Sequence, residues 1–140
     1  MQKPYLIFLL LIPLMLTSGC VTENIEPITL KTPDEKALYD LMAARCRASN
    51  AKDLSQFSRI YTKDSPELEW IEYAGIPMWE RNGMNFKAPI LKKISIIGND
   101  AAASFVLKGN NSSGTTFVYM VEALYVKEGA QWKIESTGAR

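Results

Sequence analysis

The chain has 140 residues, 47% of them hydrophobic, and its 16 basic residues nearly balance 15 acidic ones. This length suits one domain with a hydrophobic core, and near-neutral charge argues against a basic face for nucleic acid. Histidine is absent, which removes the commonest metal ligand, the commonest general base and every hydrolase triad that depends on imidazole. We therefore expect no metal site, no cofactor and no nucleic-acid partner.

The N-terminus carries an apolar run, residues 5–16, which follows Lys3 and precedes the small residues 17–19. A helix that crosses a bilayer core needs about 20 predominantly apolar residues, so this run is too short to span a membrane. A basic start, a short apolar stretch and small residues are together typical of a secretory signal peptide. The sequence predicts such a peptide over residues 1–19.

A cysteine follows these small residues, and L-T-S-G-C, residues 16–20, resembles the lipobox of bacterial lipoproteins. The resemblance implies that Cys20 carries acyl chains such as palmitate, becomes the mature N-terminus and holds the protein to a membrane. The alternative is an ordinary secreted protein that is cut near Gly19 and keeps a free thiol. In such lipoproteins an aspartate directly after the cysteine usually signals retention in the inner membrane, and this chain has Val21 at that position. If the cell has two membranes, the resemblance therefore implies the periplasmic face of the outer membrane. Residues 20–31 contain a proline and no helical period, which predicts a lipidated tether.

The folded domain is predicted over residues 32–140 and begins with three helices. T-P-D-E opens the first, over residues 32–49, with an N-cap, a proline at the first helical position and a capping-box glutamate. Asp53 caps the second helix, and the third is expected to run from the Ser-Pro pair to the glycine of residues 65–75. Cys46 lies among apolar residues of the first helix and is predicted to be a small buried hydrophobe.

After residue 75 the pattern changes to strands. Asn82-Gly83, between IPMWER and MNFKAP, predicts a hairpin with a type I′ turn. Turn signals then separate ILKKISIIG, AAASFVLKG, TTFVYMVEALYVKEG and QWKIES, which predicts an antiparallel meander. Trp132 and Ile134 alternate inward in the last strand and are predicted core residues. Helices that precede antiparallel strands define an α+β class in which the sheet curves and buries one face against the helices.

The order of elements resembles that of a known superfamily. Three N-terminal helices, the S-N-A-K-D break before the second helix and G-A-Q-W-K-I in the last strand are similar to the nuclear transport factor 2-like proteins, which include SnoaL-like cyclases and ketosteroid isomerases. The resemblance covers residues 32–136 and implies a cone, also called a cystatin-like fold, with a pocket between sheet and helices. Such domains include enzymes and non-catalytic modules, so the fold alone does not choose a function. Many relatives dimerise through the outer sheet face, which leaves a monomer and a homodimer open.

Glu122 is the candidate for a catalytic residue. The period of two places it in an apolar row with Met120 and Leu124, and this row is predicted to face the helices. Arg45 on the first helix is its predicted partner. Two interpretations stay open: an acid or base in the pocket with a raised pKa, or a structural residue that is neutralised in an ion pair or solvated at an edge.

Aromatic residues cluster in the third helix and the hairpin predicted after it. Their large apolar surfaces with polar tips suit a small apolar ligand or a protein partner. In the alternative interpretation, the tryptophans of this cluster only close the open end of the cone. The predicted pocket residues are Arg45, Tyr61, Trp70, Tyr73, Trp79 and Glu122.

These patterns favour a lipid-anchored protein of the cell envelope with a non-catalytic module that binds a partner protein or a small apolar ligand. Two alternatives stay open. One is an isomerase-like or cyclase-like enzyme with Glu122 as acid or base, and the other is a structural lipoprotein of envelope assembly. A carboxylate in a perturbed environment inside the cone would favour the enzyme, and a filled cavity would favour the structural protein.

Overall fold

A computed structural model of the protein describes residues 28–139. The predicted signal peptide, Cys20 and the first part of the predicted tether lie outside these residues. The last part of the tether runs beside the sheet, where the backbone N–H of Ile28 donates to the carbonyl of Leu91 at 3.3 Å. Within the described residues, no helix is both long and apolar enough to cross a membrane.

The described chain places its helices before its strands. The helices are α1 (Pro33–Ala51), α2 (Leu54–Ile60), α3 (Pro66–Trp70) and α4 (Ile76–Asn82), and a π-helical turn, Ile71–Gly75, joins α3 to α4. The strands are β1 (Asn85–Phe86), β2 (Ile90–Ile97), β3 (Asp100–Asn110), β4 (Thr116–Glu128) and β5 (Gln131–Ala139). The predicted α+β class, with three helical segments against a curved antiparallel sheet, is confirmed.

Polar N-caps begin the three helical segments where the sequence predicts them. Each cap side chain accepts a hydrogen bond from a backbone N–H in the first turn, which satisfies a donor that has no partner inside the helix. The caps are Thr32, Asp53 and Ser65.

The third helical segment is longer than predicted, because it passes Gly75 and continues through α4. Pro77 has no N–H to donate to the preceding turn, and just before it the N–H of Ile76 bonds to the carbonyl of Ile71, a π-type contact. Gly83, with φ 56°, ends α4 in the left-handed conformation. The predicted hairpin at Asn82-Gly83 is therefore wrong: the positive φ that favoured a type I′ turn belongs to a helix C-cap.

The sheet is built around β3. β1 pairs with residues 109–110 of β3 and β2 with residues 100–106, so these two strands form one interrupted edge. β4 pairs along the other side of β3, and β5 pairs with β4. All pairings among these five strands are antiparallel, and the predicted meander of the last four strands is confirmed.

Register shifts in β2 and between β4 and β5 mark bulges, which bend strands and increase their twist. The concave face covers α1, where Leu38 and Met42 are fully buried. Trp132 and Ile134 are 6% and 0% exposed, which confirms them as core residues. Cys46 is 3% exposed, as predicted, and burial raises the pKa of its thiol to about 11.

Candidate functional site

An open cavity of about 650 Å³ lies between the α3–α4 segment and the concave face of the sheet. This volume is in the range of small-molecule pockets in proteins. Large apolar side chains supply most of its wall, and polar groups come from α1, α3, β4 and the end of β5. The apolar lining includes Trp70, Met78, Trp79, Met84 and Val121.

The helical segment places two tryptophans together on this wall. Trp70 and Trp79 meet edge to face with ring centroids 6.2 Å apart, and Trp79 also stacks on Phe57 at 5.7 Å. Gly75 lies beside them, and a Cβ at this position would come within 3.0 Å of Trp70 and 3.2 Å of Trp79. The segment therefore needs a residue without a side chain where the two rings approach its backbone.

Arg45 on α1 is the cationic group of the cavity. Its side chain lines the wall although the residue is only 6% exposed. Its Nε donates a hydrogen bond of 2.7 Å to the hydroxyl of Tyr61, and the same Nε lies 3.9 Å from Oε2 of Glu67. The Tyr61 hydroxyl in turn donates to the carboxylate of Glu67. These contacts hold one edge of the guanidinium group.

Glu67 joins α3 to β5. One carboxylate oxygen accepts the backbone N–H of Thr137 at 2.7 Å, and both oxygens lie 2.8 Å from the Thr137 hydroxyl. Together with the bond from Tyr61, every oxygen of this carboxylate receives a donor. Glu67 is thereby fixed as an acceptor between two elements, and its geometry does not leave an oxygen directed at a substrate.

The ionisation states follow from burial and from these neighbours. Burial opposes the charge of Arg45, but Tyr61 and Glu67 outweigh it, so the pKa of Arg45 is raised. Burial also raises the pKa of Tyr61 and of Tyr119, even though Arg45 favours the ionised phenol in both cases. At neutral pH Arg45 is therefore a cation, and the hydroxyl groups of Tyr61 and Tyr119 are neutral.

Two sets of donors in the wall lack a partner within residues 28–139. The terminal nitrogens of Arg45 make no hydrogen bond there, and neither does the hydroxyl of Tyr119, which also lines the cavity. In the same residues, every fully buried side-chain nitrogen or oxygen has a partner. The terminal nitrogens of Arg45 are consequently exposed to the space of the cavity.

The structure brings three of the six predicted pocket residues to the cavity: Arg45, Trp70 and Trp79. Tyr61, only 1% exposed, lies behind the wall and acts on the cavity through Arg45 and Glu67. Tyr73 is 73% exposed and does not line the cavity. The tryptophans border an open space, so they do not fill the open end of the cone.

Glu122 lies on the opposite face of the sheet. The buried residues near the middle of β4 are Val121, Ala123 and Tyr125, and Glu122 alternates with them to the outer face. The prediction that Glu122 faces the helices and pairs with Arg45 is wrong, and Arg45 is paired with Glu67 instead. Both rows of β4 are rich in apolar residues, so the period of two did not identify the inner one.

Sequence reasoning missed several residues of the site, chiefly Glu67, Tyr119 and Thr137. Tyr119 belongs to the inner row of β4 and would have been found if that row had been chosen. Glu67 follows a Ser-Pro helix start, where an acidic residue is already explained by the helix dipole. Among the described residues, no group of histidine, cysteine or acidic side chains is arranged to hold a metal ion.

No protein-family model and no curated protein sequence matches the chain. Solved structures do match its fold. A nuclear transport factor 2-like protein of unknown function from Shewanella oneidensis is 14% identical, with TM-score 0.59, over 76% of this chain and 98% of that one. A nuclear transport factor 2-like protein from Cytophaga hutchinsonii is 11% identical, with TM-score 0.57, over 77% and 98%.

A protein with a cystatin-like fold from Caulobacter vibrioides is 14% identical, with TM-score 0.53, over 74% of this chain and 86% of that one. At these identities the matches establish the fold and no function. The chain has the nuclear transport factor 2-like fold, as the order of its elements predicts.

Proposed function

We propose that the protein is a lipid-anchored module of the cell envelope that binds a small apolar ligand, without catalysis, in the cavity of its cone-shaped domain. The observation that carries the proposal is the open cavity of about 650 Å³ with its tryptophan and methionine wall. Methionine and tryptophan offer large, adaptable apolar contact area, which suits a ligand that enters from water. A fold whose interior were only structural would fill this volume with its own side chains.

The carboxylates support binding over catalysis. The carboxylate that lines the cavity, Glu67, receives hydrogen bonds on both oxygens, so a proton transfer by it would disrupt the junction of α3 with β5. Glu122, on which the enzyme hypothesis rested, lies on the other side of the sheet. The location in the envelope rests on the sequence L-T-S-G-C, residues 16–20, after a short apolar run.

The binding proposal is tested with N-phenyl-1-naphthylamine, an uncharged probe that becomes fluorescent in apolar sites, and with the Cys20→Ser chain in buffer without detergent. Two further variants form a matched pair on β4. Val121→Trp directs an indole into the cavity, and Met120→Trp places the same side chain on the outer face. We expect Val121→Trp to abolish saturable binding of the probe and Met120→Trp to retain it.

Thermal melts of both variants establish that each is folded before the probe is added. Absence of saturable binding to the Cys20→Ser chain would refute the binding proposal, and so would equal binding by the two tryptophan variants.

The anchoring proposal is tested separately by fractionation of cells that produce the parent chain or Cys20→Ser. We expect the parent chain to sediment with membranes and to carry the added mass of acyl chains, because two or more chains anchor a protein stably. Cys46→Ser is the matched control, since it removes the other cysteine and keeps Cys20. An unchanged membrane fraction for Cys20→Ser, with no loss of acyl mass, would contradict the anchor.

A further inference from the structure

We propose that the ligand of this cavity is an amphipathic carboxylate, with one carboxylate held by the terminal nitrogens of Arg45 and the hydroxyl of Tyr119, and an apolar body between Trp70, Trp79 and Met84. This assignment of a ligand class rests on the proposed binding function. It goes beyond that function because it names the chemical group that the cavity recognises and the residues that recognise it.

The geometry of Arg45 supplies the first step. The residue is 6% exposed, and its Nε edge is held by Tyr61 and Glu67, so the orientation of the planar group is fixed. Its terminal nitrogens have no protein acceptor within residues 28–139 and meet the cavity. A guanidinium group in this state presents parallel N–H donors that match the two oxygens of a carboxylate. A buried cation with free donors is costly unless an acceptor occupies the space before it.

Tyr119 supplies the second donor, from β4. Its hydroxyl lines the same cavity and makes no hydrogen bond to any residue in the described range. Arg45 and Tyr119 are close enough that each affects the pKa of the other, and burial keeps the Tyr119 phenol protonated. The neutral hydroxyl can therefore donate to the same anion as Arg45, from a different element of the fold.

The charge of the site favours a ligand with a single negative charge. Glu67 lies 3.9 Å from Nε of Arg45 and already offsets part of its charge. A dianionic group such as a phosphate monoester would meet this carboxylate without a second cation, because Arg45 is the only basic residue that lines the cavity within the described chain. A carboxylate needs one cation and a few donors, which this site provides.

The remaining wall specifies the body of the ligand. Trp70 and Trp79 meet edge to face, and Trp70 is 47% exposed at the mouth of the cavity. Met78, Met84 and Val121 continue the apolar surface inward. A ligand with its carboxylate on Arg45 would bury an alkyl or aromatic body on these side chains, which supplies affinity, while the carboxylate supplies selectivity.

The test compares acids with uncharged alcohols of the same body, by isothermal titration calorimetry with the Cys20→Ser chain. The pairs are decanoate with 1-decanol and 2-naphthoate with 2-naphthalenemethanol, so that one flexible and one flat body are covered. Decyl phosphate serves as the dianionic probe. We expect each acid to bind about tenfold more tightly than its alcohol, the usual effect of a hydrogen bond to a charged group, and decyl phosphate to bind more weakly than decanoate.

Three variants assign the preference to residues. Tyr119→Phe keeps the ring and removes the hydroxyl, and should weaken the acids about tenfold. Arg45→Met should weaken them about 100-fold and leave the alcohols nearly unchanged. Arg47→Met is the matched control, because it removes an exposed arginine from the same helix and should change every affinity by less than about twofold.

The outcomes separate this inference from the proposed function. If acids and alcohols bind the Cys20→Ser chain equally, or if decyl phosphate binds more tightly than decanoate, the carboxylate assignment is overturned and the apolar binding function stands. If none of the acids and alcohols binds, both the carboxylate assignment and the proposed binding function are overturned. Should Arg45→Met fail to fold, Tyr119→Phe decides: its hydroxyl makes no hydrogen bond within the described chain, so a loss restricted to the acids supports the inference and unchanged acid affinity overturns it.

Discussion

The two faces of β4 carry similar side chains in different environments. On the inner face Val121, Ala123 and Tyr125 are at most 5% exposed, and the Tyr125 hydroxyl donates to the carbonyl of Leu38 on α1 at 3.1 Å. On the outer face Val118 is 60% exposed and Leu124 is 43% exposed. The inner row also borders the cavity through Val121. One strand thus provides the wall of the interior and an apolar outer surface.

This contrast teaches which apolar residues determine the fold. Burial stabilises by about 25 cal/mol for each Å² of apolar surface removed from water, so an exposed leucine contributes little. Where the inner row is fully buried it also satisfies its polar atoms, as Tyr125 does with Leu38, whereas a residue on the outer face can hydrogen-bond to water. The free energy of unfolding should therefore depend strongly on which face of β4 a substituted residue occupies, and only weakly on how hydrophobic that residue is.

The largest effect that tests this contrast is expected for Tyr125→Ala. Tyr125 is 1% exposed, and removal of a buried aromatic side chain costs about 3–5 kcal/mol of the free energy of unfolding. Its neighbour in sequence, Leu124, is the matched control, and Leu124→Ala should cost less than about 1 kcal/mol. Urea denaturation of the Cys20→Ser chain measures both changes. Similar losses at the two positions would show that the outer face is buried in solution, for example in a homodimer.

A second prediction concerns titratable groups that the interior keeps neutral. The pKa of Cys46 is raised from 9.0 to about 11, chiefly by burial. In the unfolded chain the thiol loses its proton near pH 9, whereas the folded protein retains it, so the free energy of unfolding falls as the pH rises between these values. At about 1.4 kcal/mol for each pH unit, the thiol alone contributes a loss of about 2 kcal/mol between about pH 8 and about pH 10.5.

The measurement is urea denaturation at both pH values for the parent chain and for Cys46→Ala. The alanine variant is less stable at pH 8 but should lose about 2 kcal/mol less on the change to high pH. The buried tyrosines contribute the same slope to both proteins, so the difference isolates the thiol. Glu122→Gln on the outer face leaves Cys46 in place and should keep the parent slope. Equal slopes for the parent chain and Cys46→Ala would contradict the burial of the thiol.

Local chemistry explains which parts of the fold were predictable. Thr32, Asp53 and Ser65 begin helices because a side-chain oxygen next to free N–H groups satisfies them without help from the rest of the chain. The local pattern at Asn82-Gly83 was ambiguous, because positive φ at glycine suits a hairpin turn and a helix C-cap equally. Whether a hairpin turn or a C-cap forms depends on tertiary contacts, such as the packing of Trp79 on Phe57 and Phe86, and no local sequence pattern contains these contacts.

The site was harder to predict than the fold, because its polar residues act across elements. Glu67 is joined to Thr137, which lies 70 positions along the chain, and to Tyr61, which follows α2. Arg45 was identified by its position on the inner margin of α1, but its partner was assigned to the wrong glutamate. A polar residue in an apolar row, such as Glu122, is conspicuous in a sequence. A glutamate in the first turn of a helix, such as Glu67, is not, although here it is the partner of the buried Arg45.

The smallest expected effect is the coupling between Arg45 and Glu122, which should be close to zero because the sheet separates them. Side-chain interactions on the solvated outer face are worth about 0–1 kcal/mol, so Glu122→Gln should change the free energy of unfolding by no more than this. Arg45→Lys keeps the positive charge beside Glu67 and loses the planar guanidinium group with its several donors. The resulting change in the free energy of unfolding should be measurable without preventing folding, as a double-mutant cycle requires.

Urea denaturation of the two single variants and the double variant should give energies that add within about 0.5 kcal/mol, as expected for residues on opposite faces of the sheet. The matched cycle pairs Arg45→Lys with Glu67→Gln, and it should be clearly non-additive, because these side chains lie 3.9 Å apart and share the hydroxyl of Tyr61. A coupling above about 1 kcal/mol between Arg45 and Glu122 would place both on one side of the sheet and reverse the assignment of the faces of β4. Since Tyr119 would then turn outward with the rest of its row, the same result would remove the second donor from the proposed carboxylate site.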